Sequence, residues 1–518
     1  MSSIVGFSIW FTLSIEKQKS ARAAQERALS QFAHLEHKTL VVGETTLEVW
    51  GHRDVTERLR RLADGSLLVL VGSPLVGEVS WQKIEENMMK SGFSQFEPSW
   101  DGRFVLLHIS ADGKRWTMWN DWIGSIPVFH TQLSGGGRIA STIEPVTVAS
   151  AGFTPDDFFL PGLLSMFING HYLGDWTLYK EMKIVPADSR SLWDRDGFRA
   201  TCLWTVRPSQ DRWETGWDDL VDEMHELTHR AISEALNSQA SWIVPLSSGL
   251  DSRLIAGVAA DVGANVHTYA WGASDTTDVI YSRQIAQTLG FPWKHIELPK
   301  NYLSTYTQKW ADLFGSSMHF HGMYQMAFLD RIGMQPAGHI LTGYLGEVLS
   351  GLAVINLTTL HRIPGKTQLN PDKYLHWFAE EVQRAIKIPL GDALDEVASQ
   401  IIREIDGPSG AWYQRLTILQ LRNRQRLFTY FQSILADYSR GVATPFLNRA
   451  YGRFCLSLPR AVLDDRHLLG AVYRRYYGRL AVIPGTYAKD PFILTGKYLV
   501  KRRMSNVLPP SLHFGSLK

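Results

Sequence analysis

The stretch Ile243-Val-Pro-Leu-Ser-Ser-Gly-Leu-Asp-Ser-Arg-Leu-Ile-Ala256 decides how this chain is read. An apolar strand runs straight into a loop of small residues, and the loop runs into a helix. Backbone N–H groups of such a loop, together with the helix dipole, form an anion site. Gly249 lets the backbone approach phosphate closely, and the hydroxyls of Ser247, Ser248 and Ser252 can donate further hydrogen bonds. Asp251 would repel phosphate, so its carboxylate makes sense beside one only as a Mg²⁺ ligand. The loop lacks the Gly-Lys-Ser/Thr ending of a Walker motif. The plain alternative is a strand-to-helix turn in which Asp251 or Ser252 caps the helix.

Outward from this loop the pattern is regular. Leu220–Leu236 has helical spacing of apolar residues. The runs Trp242–Leu246, Arg253–Val262, Val266–Trp271, Asp278–Leu289 and Trp293–Leu298 alternate strand and helix, which implies a parallel sheet with helices on its faces. Beyond them the chain reads as mostly helical to Leu508. Upstream, the texture changes around Arg207–Trp217, and a domain boundary is placed near residue 210, giving domains 1–210 and 211–518. The first part is strand-rich, with short apolar runs such as Ser66–Gly72 and Arg103–Ile109. The glycine cluster inside Leu133–Ile139 is followed by a strand-like run and not a helix, so it reads as a hairpin turn and not as a phosphate loop. The apolar stretch Ile4–Ile15 is shorter than the ~20 residues of a spanning helix and reads as a buried strand.

Composition bounds the function classes. At 518 residues two domains are expected, and 45% hydrophobic with 20% charged residues suits globular protein. A net charge of +2 gives no reason to expect a nucleic-acid partner or a membrane. Cys202 and Cys455 are the only cysteines, which excludes a disulfide framework and a multi-cysteine metal site and points to a reduced, cytoplasmic setting.

Ser247-Ser-Gly-Leu-Asp-Ser252 resembles the Ser-Gly-Gly-x-Asp-Ser signature of the asparagine synthetase family of ATP pyrophosphatases, with Ser248 standing where glycine is usual. Ile340-Leu-Thr-Gly-Tyr-Leu-Gly-Glu-Val-Leu-Ser-Gly351 resembles the family's later glycine-rich acidic loop, and Leu341–Tyr344 has a close relative in β-lactam synthetases. Ala443-Thr-Pro-Phe-Leu-Asn-Arg449 and Phe454–Pro459 resemble a third family segment, with Asn448 replacing an aspartate. The resemblance spans about residues 215–490. It implies an adenine-nucleotide α-hydrolase-like fold that binds ATP and Mg²⁺ and splits ATP into AMP and pyrophosphate. By the same resemblance Ser247, Ser248, Gly249, Leu250, Asp251 and Ser252 bind ATP and pyrophosphate, and Asp251 and Glu347 hold the metal. Asp278 is a weaker acidic candidate. Lys489, with Lys497 as its rival, would be the phosphate-binding lysine, and Tyr344 falls where β-lactam synthetases keep a tyrosine that assists amine deprotonation.

The first domain resembles the family's glutamine-amidotransferase β-sandwich in degenerate form, through Asp101–Phe104, Asn120–Phe129 and Ala140–Ile143. The whole is expected to be α+β followed by α/β. The chain begins Met1-Ser-Ser-Ile-Val-Gly-Phe7, so Ser2 occupies the place of the family's nucleophilic cysteine, and no Asn-Gly-Glu segment is recognisable. Loss of glutaminase activity is expected. The same loss marks β-lactam synthetases and lasso-peptide cyclases, and some asparagine-synthetase-like proteins of surface-polysaccharide pathways resemble the chain in Asp251–Arg253 and Asn423–Arg426.

For the acyl pocket the resemblance points to Phe314–Tyr324, which contains no acid, so aspartate is not the expected substrate. His319 and His321 could contact an acidic or hydroxylated group, or be ordinary packed histidines; two histidines without a third ligand make a poor zinc site. Arg422 and Arg426 share a helix face and either hold a substrate anion or face solvent. The reading is an AMP-forming carbon–nitrogen ligase acting on a small-molecule or peptide carboxylate, with ammonia or an amine as nucleophile. Its alternatives are an intramolecular lactam or macrolactam cyclase and a catalytically inactive binding partner. A homodimer or a complex with other pathway enzymes remains an open expectation.

Overall fold

The computed structural model describes residues 3–75, 81–92, 95–333, 338–352, 390–463 and 466–485. The first strand, Ser3–Phe11, is buried along nearly its whole length. Its pairing with Thr45–His52 slips between Ile4 and Gly6, which marks a bulge and switches the side-chain parity. Ile4, on one side of the bulge, therefore shares a core with Phe7 and Ile9 on the other. Val5 and Trp10 point into the larger core on the opposite face.

The strand sits centrally because it pairs with three neighbours: Thr45–His52 and Arg138–Ser141 antiparallel, and Leu67–Leu75 parallel. Hydrogen bonding then continues unbroken through Asp101–Ile109, Trp116–Asn120, Ser189–Asp194 and Gly197–Cys202. The result is one curled twelve-stranded sheet, whose two halves join at the single pair Ile4–Val71 and bury side chains of both in a shared core. Phe129–Gln132 and Arg138–Ser141 form the hairpin expected around Leu133–Ile139, and Gly135 and Gly136 take φ of 87° and 84° in its turn.

Helices also pack on this domain. Ile15–Leu29 is capped by Ser14 and buries Ala21, Ala24, Gln25 and Ala28, one stripe at helical spacing.

The second sheet has five parallel strands, in the order Trp293–Ile296, Val266–Trp271, Trp242–Pro245, His339–Leu341, Val442–Ala443. Helices Leu250–Asp261 and Thr277–Leu289 make its first crossovers. The chain leaves Trp242–Pro245 toward one edge and returns beside it as His339–Leu341. The loops after Pro245 and Leu341 thus diverge from adjacent strands at their carboxyl ends, the place where open α/β sheets bind ligands.

Buried polar contacts fasten the two parts together. Trp122 Nε1 donates to the Leu447 carbonyl at 2.7 Å, and Asp101 accepts from the Arg449 backbone and the Asn448 amide. Arg103 is ion-paired with Asp437, both fully buried. Among the described residues, no helix is long and apolar enough to cross a membrane.

Candidate active site

A cavity of about 450 Å³ opens at the carboxyl ends of the second sheet. Ser247, Gly249, Asp251 and Ser252 line it from one loop, and Thr342, Gly343, Tyr344, Leu345 and Glu347 from the neighbouring one. Ala270, Trp271, Phe328 and Leu329 give it an apolar wall. Two sequence segments about ninety residues apart thus meet, because they leave adjacent strands that lie about 4.8 Å apart.

The first loop is held by its own serines. Ser247 N–H and Oγ reach Ser252 Oγ at 3.2 and 3.1 Å, and Gly249 N–H donates to Ser247 Oγ at 3.1 Å. Ser248, which replaces a glycine of the similar motif, does not sit at positive φ. Its N–H and Oγ both donate to Asp278 Oδ1, at 3.0 and 2.5 Å. The hydroxyl that distinguishes this loop is therefore one half of an anchor, and Asp278 is the other half. Gly249 is the N-cap of helix Leu250–Asp261 with no side-chain cap bond. The plain capped turn, with Asp251 or Ser252 as cap, is thus not what forms; the helix N-terminus is open to the cavity, with Leu250 buried behind it.

Asp251 lies in the first helical turn, and its partner is a residue the sequence reading missed. Arg466 Nη2 donates to Asp251 Oδ1 at 2.5 Å, and Arg466 Nε to Ser350 Oγ at 2.8 Å. Burial works against the Arg466 charge, yet Asp251 and then Glu347 hold its pKa above the usual guanidinium range. Burial, and then the charge of Asp251, push Glu347 upward, while Arg466 and Arg424 draw it back. The site is thus two carboxylates and one guanidinium in mutual contact or field. No motif marked Arg466, which follows Leu463 by three residues at the start of helix His467–Tyr476.

The close approach of the two loops rests on glycine. A Cβ on Gly346 would stand 2.6 Å from Asp251 Oδ1, and one on Gly343 3.0 Å from Asp251 Cβ. Leu345 between them has φ 74°, and Arg466 has φ 57°. Left-handed backbone costs a non-glycine residue roughly 1–2 kcal/mol, and such strain collects at functional sites.

Tyr344 is half-buried, and desolvation pushes its phenol well above the usual range; the hydroxyl accepts from Gln325 Nε2 at 2.8 Å. Gln325 also donates to Gln432 Oε1 at 2.5 Å. Among the described residues that line the cavity the acids are Asp251, Asp278 and Glu347.

The remaining sequence candidates fall elsewhere. His319 Nδ1 accepts the His321 N–H at 3.1 Å, and His321 stacks on Phe428; neither lines the cavity. Burial and then His321 lower the His319 pKa, so its ring is neutral at pH 7. Arg422 lies over Trp204 and pairs with Asp188 at 3.5 Å. Arg426 donates to the carbonyls of Gly124 and Val185 at 3.0 and 2.5 Å. Both arginines contact the first domain, and neither lines the cavity. Ser2, Lys489 and Lys497 lie outside the described residues.

Residues 223–332 match the asparagine synthase family model. That segment carries the serine loop, Asp251 and Asp278, and ends before Tyr344 and Glu347. No curated protein sequence matches the chain. Two solved structures align loosely. One is described as the allosteric regulatory enzyme of purine biosynthesis, at 9% identity and TM-score 0.24, over 56% of this chain and 64% of that one. The other is glutamine phosphoribosylpyrophosphate (PRPP) amidotransferase from B. subtilis complexed with ADP and GMP, at 9% identity and TM-score 0.25, over 70% and 77%. The chain therefore spans less than two thirds of the first of these, and superpositions this loose carry no weight for its chemistry.

Proposed function

We propose that this chain is an ATP-dependent ligase that adenylates a carboxylate, releases pyrophosphate, and passes the acyl group to ammonia or an amine. The observation that carries the reading is Asp251 and Glu347 brought together at the uncapped N-terminus of helix Leu250–Asp261. The match of residues 223–332 to the asparagine synthase family model supports the same chemistry.

In the reaction, a substrate carboxylate oxygen attacks the α-phosphorus of ATP, and the bond to the β-phosphate oxygen breaks. The helix N-terminus and the serine hydroxyls bind the departing pyrophosphate. Arg466, bonded to Asp251 and Ser350 and not among the residues that line the cavity, positions the Asp251 carboxylate. Asp251 and Glu347 form a donor set suited to Mg²⁺, which takes one or two carboxylates and completes its shell with phosphate oxygens; when bound it would neutralise the leaving group. Trp271, Phe328 and Leu329 offer an apolar surface for the adenine. Nitrogen then attacks the acyl carbon, AMP departs, and the nitrogen loses a proton.

Tyr344 is poorly suited to take that proton, since burial favours its neutral phenol and its partner is an amide. This favours a free amine or ammonia over lactam closure, which needs a tuned base within the site. Among the described residues that line the cavity, the acids Asp251, Asp278 and Glu347 all belong to the loops and helix starts assigned to phosphate and metal, which leaves a substrate ammonium no counter-charge among them and disfavours aspartate as the substrate. The first domain serves as a scaffold, with Ser2 in place of a thiol nucleophile. The test is to incubate the full chain with Mg-ATP and a panel of carboxylates, and to follow pyrophosphate, AMP and glutamate made from glutamine. AMP and pyrophosphate without glutamate support the reading; ADP and phosphate as the products refute it.

A further inference from the structure

The wall of the cavity opposite the phosphate loops is the π-helix Leu421–Thr429. Most polar side chains on this helix have partners. Asn423 accepts from the Gly174 N–H at 2.7 Å and donates to the Leu419 carbonyl at 3.0 Å, and Arg426 is held by two carbonyls of the first domain. Gln425 is different. It lines the cavity, it is fully buried, and neither its Oε1 nor its Nε2 has a hydrogen-bond partner. Thr429, four residues on and also lining the cavity, has a buried Oγ1 with no partner. An amide shielded from water with neither bond made is a standing cost to stability, and native proteins rarely keep one without a use. A π-helix in such a place is itself associated with function.

The chemistry of the surroundings narrows what these atoms meet. Among the described residues lining the cavity there is no lysine, arginine or histidine, and Gln325 is already occupied by Tyr344 and Gln432. A glutamine amide both donates and accepts, and so does a threonine hydroxyl. They match hydroxyl or amide groups; an ammonium would find no opposite charge there, and an alkyl chain would leave the amide unpaired. We infer that Gln425 and Thr429 form an uncharged subsite for the body of the acyl substrate, a carboxylate bearing hydroxyl or amide groups and no ammonium. The inference rests on the adenylation reading for its account of why a carboxylate enters here.

Binding can be tested without turnover. Ligand-observed NMR on the full chain, with Mg²⁺ and a non-hydrolysable ATP analogue, would compare D-glucuronate, N-acetylglycine, L-aspartate and hexanoate. Binding of glucuronate or N-acetylglycine above the other two is expected, and the preferred one tells hydroxyl from amide recognition. Gln425→Leu and Thr429→Val should each weaken that binding roughly tenfold, about one uncharged hydrogen-bond pair, with affinity for the nucleotide unchanged. Gln425→Leu should also raise the melting temperature, because an unpaired amide is replaced by an apolar group of similar size. Preference for aspartate or hexanoate, failure of all four acids to bind, or a lowered melting temperature in Gln425→Leu overturns the subsite. Binding with the expected preference but no pyrophosphate exchange would leave the subsite standing and refute the adenylation reading alone.

Discussion

Replacing Asp251 by asparagine separates catalysis from folding more cleanly than alanine does. Asp251 accepts from Arg466 at 2.5 Å, and Arg466 is otherwise bonded to Ser350 Oγ. Removing one partner of a buried pair typically costs about 3–5 kcal/mol, because the other charge is stranded. Asparagine keeps an oxygen in place to accept from the guanidinium, and Glu347 still opposes its charge, so a loss of about 2 kcal/mol is expected, within the range of a charge-assisted hydrogen bond. Activity should fall much further. If Asp251 helps hold the Mg²⁺ that would neutralise the departing pyrophosphate, the lost stabilisation is at least about 2.7 kcal/mol, or a hundredfold in rate. The assay is pyrophosphate release at saturating ATP, paired with urea unfolding of the same samples. A double variant, Asp251→Asn with Arg466→Met, removes the stranded charge and should recover stability without recovering turnover. The reasoning is refuted if the single variant keeps more than a tenth of wild-type release. It is equally refuted if the double variant regains activity along with stability, since the defect would then be one of folding.

Gly346→Ala should reduce pyrophosphate release at least tenfold while costing about 1–3 kcal/mol of stability, the range for overpacking, because the new methyl would stand 2.6 Å from Asp251 Oδ1; activity near wild type would show that the loops need not touch. Glu144 is buried against Ser316, whose N–H and Oγ donate to it, and burial lifts its pKa to about 7. The folded state then holds a proton that the unfolded state has released, so this group's contribution to stability falls as pH rises from about 4.5 to 7. Glu144→Gln should therefore gain on the wild type across that window, by up to about 3 kcal/mol, in urea titrations at pH 5 and 8; a difference independent of pH refutes the assignment. Tyr344→Phe should lower the amide-forming step modestly while adenylation continues, and single-turnover measurement of the two steps would check it. A loss above a thousandfold confined to amide formation would favour the cyclase.

The second sheet was legible because its strands and crossover helices follow one another with little interruption. Val266–Trp271 forms as written, and helix Leu250–Asp261 starts three residues before the apolar run that revealed it. The strand–loop–helix course of Ser247–Ser252 was legible for the same reason: it is local, built from consecutive residues. Arg466 was not, since its role comes from a contact with Asp251 across 215 positions of sequence. The contacts of Arg422 and Arg426 with the first domain were not legible, because spacing on a helix says which residues share a face but not what that face meets. The helix Ile15–Leu29 escaped notice because alanine carries its buried stripe, and alanine contrasts weakly with its neighbours. The curling of the first sheet was not legible, because pairing between distant strands, such as Ser3–Phe11 with Thr45–His52 and Arg138–Ser141, leaves no mark on either one.

The first domain is bonded directly to elements that frame the cavity. Arg426 reaches across to the Gly124 and Val185 carbonyls, and burial lowers its pKa to about 10, so it remains charged at neutral pH and binds those carbonyls as a cation. Gly124 permits this twice over: it has φ 60°, and a Cβ there would stand 2.9 Å from Arg426 Nε. The residue before Arg426 is Gln425, on the cavity side of the same π-helix turn. A shift of the Arg426 anchor must therefore move Gln425, since a helix turn of this kind transmits rotation about its axis rigidly. On the other side of the cavity, Asp101 takes the first N–H of helix Arg449–Ser457 and the amide of its cap, Asn448, and that helix follows directly from the strand edge Val442–Ala443. The curled sheet thus grips the second domain at both the π-helix wall and the far strand. Cutting the chain near residue 210 would strip these partners from a buried guanidinium and a helix start together, so the second domain alone should be destabilised.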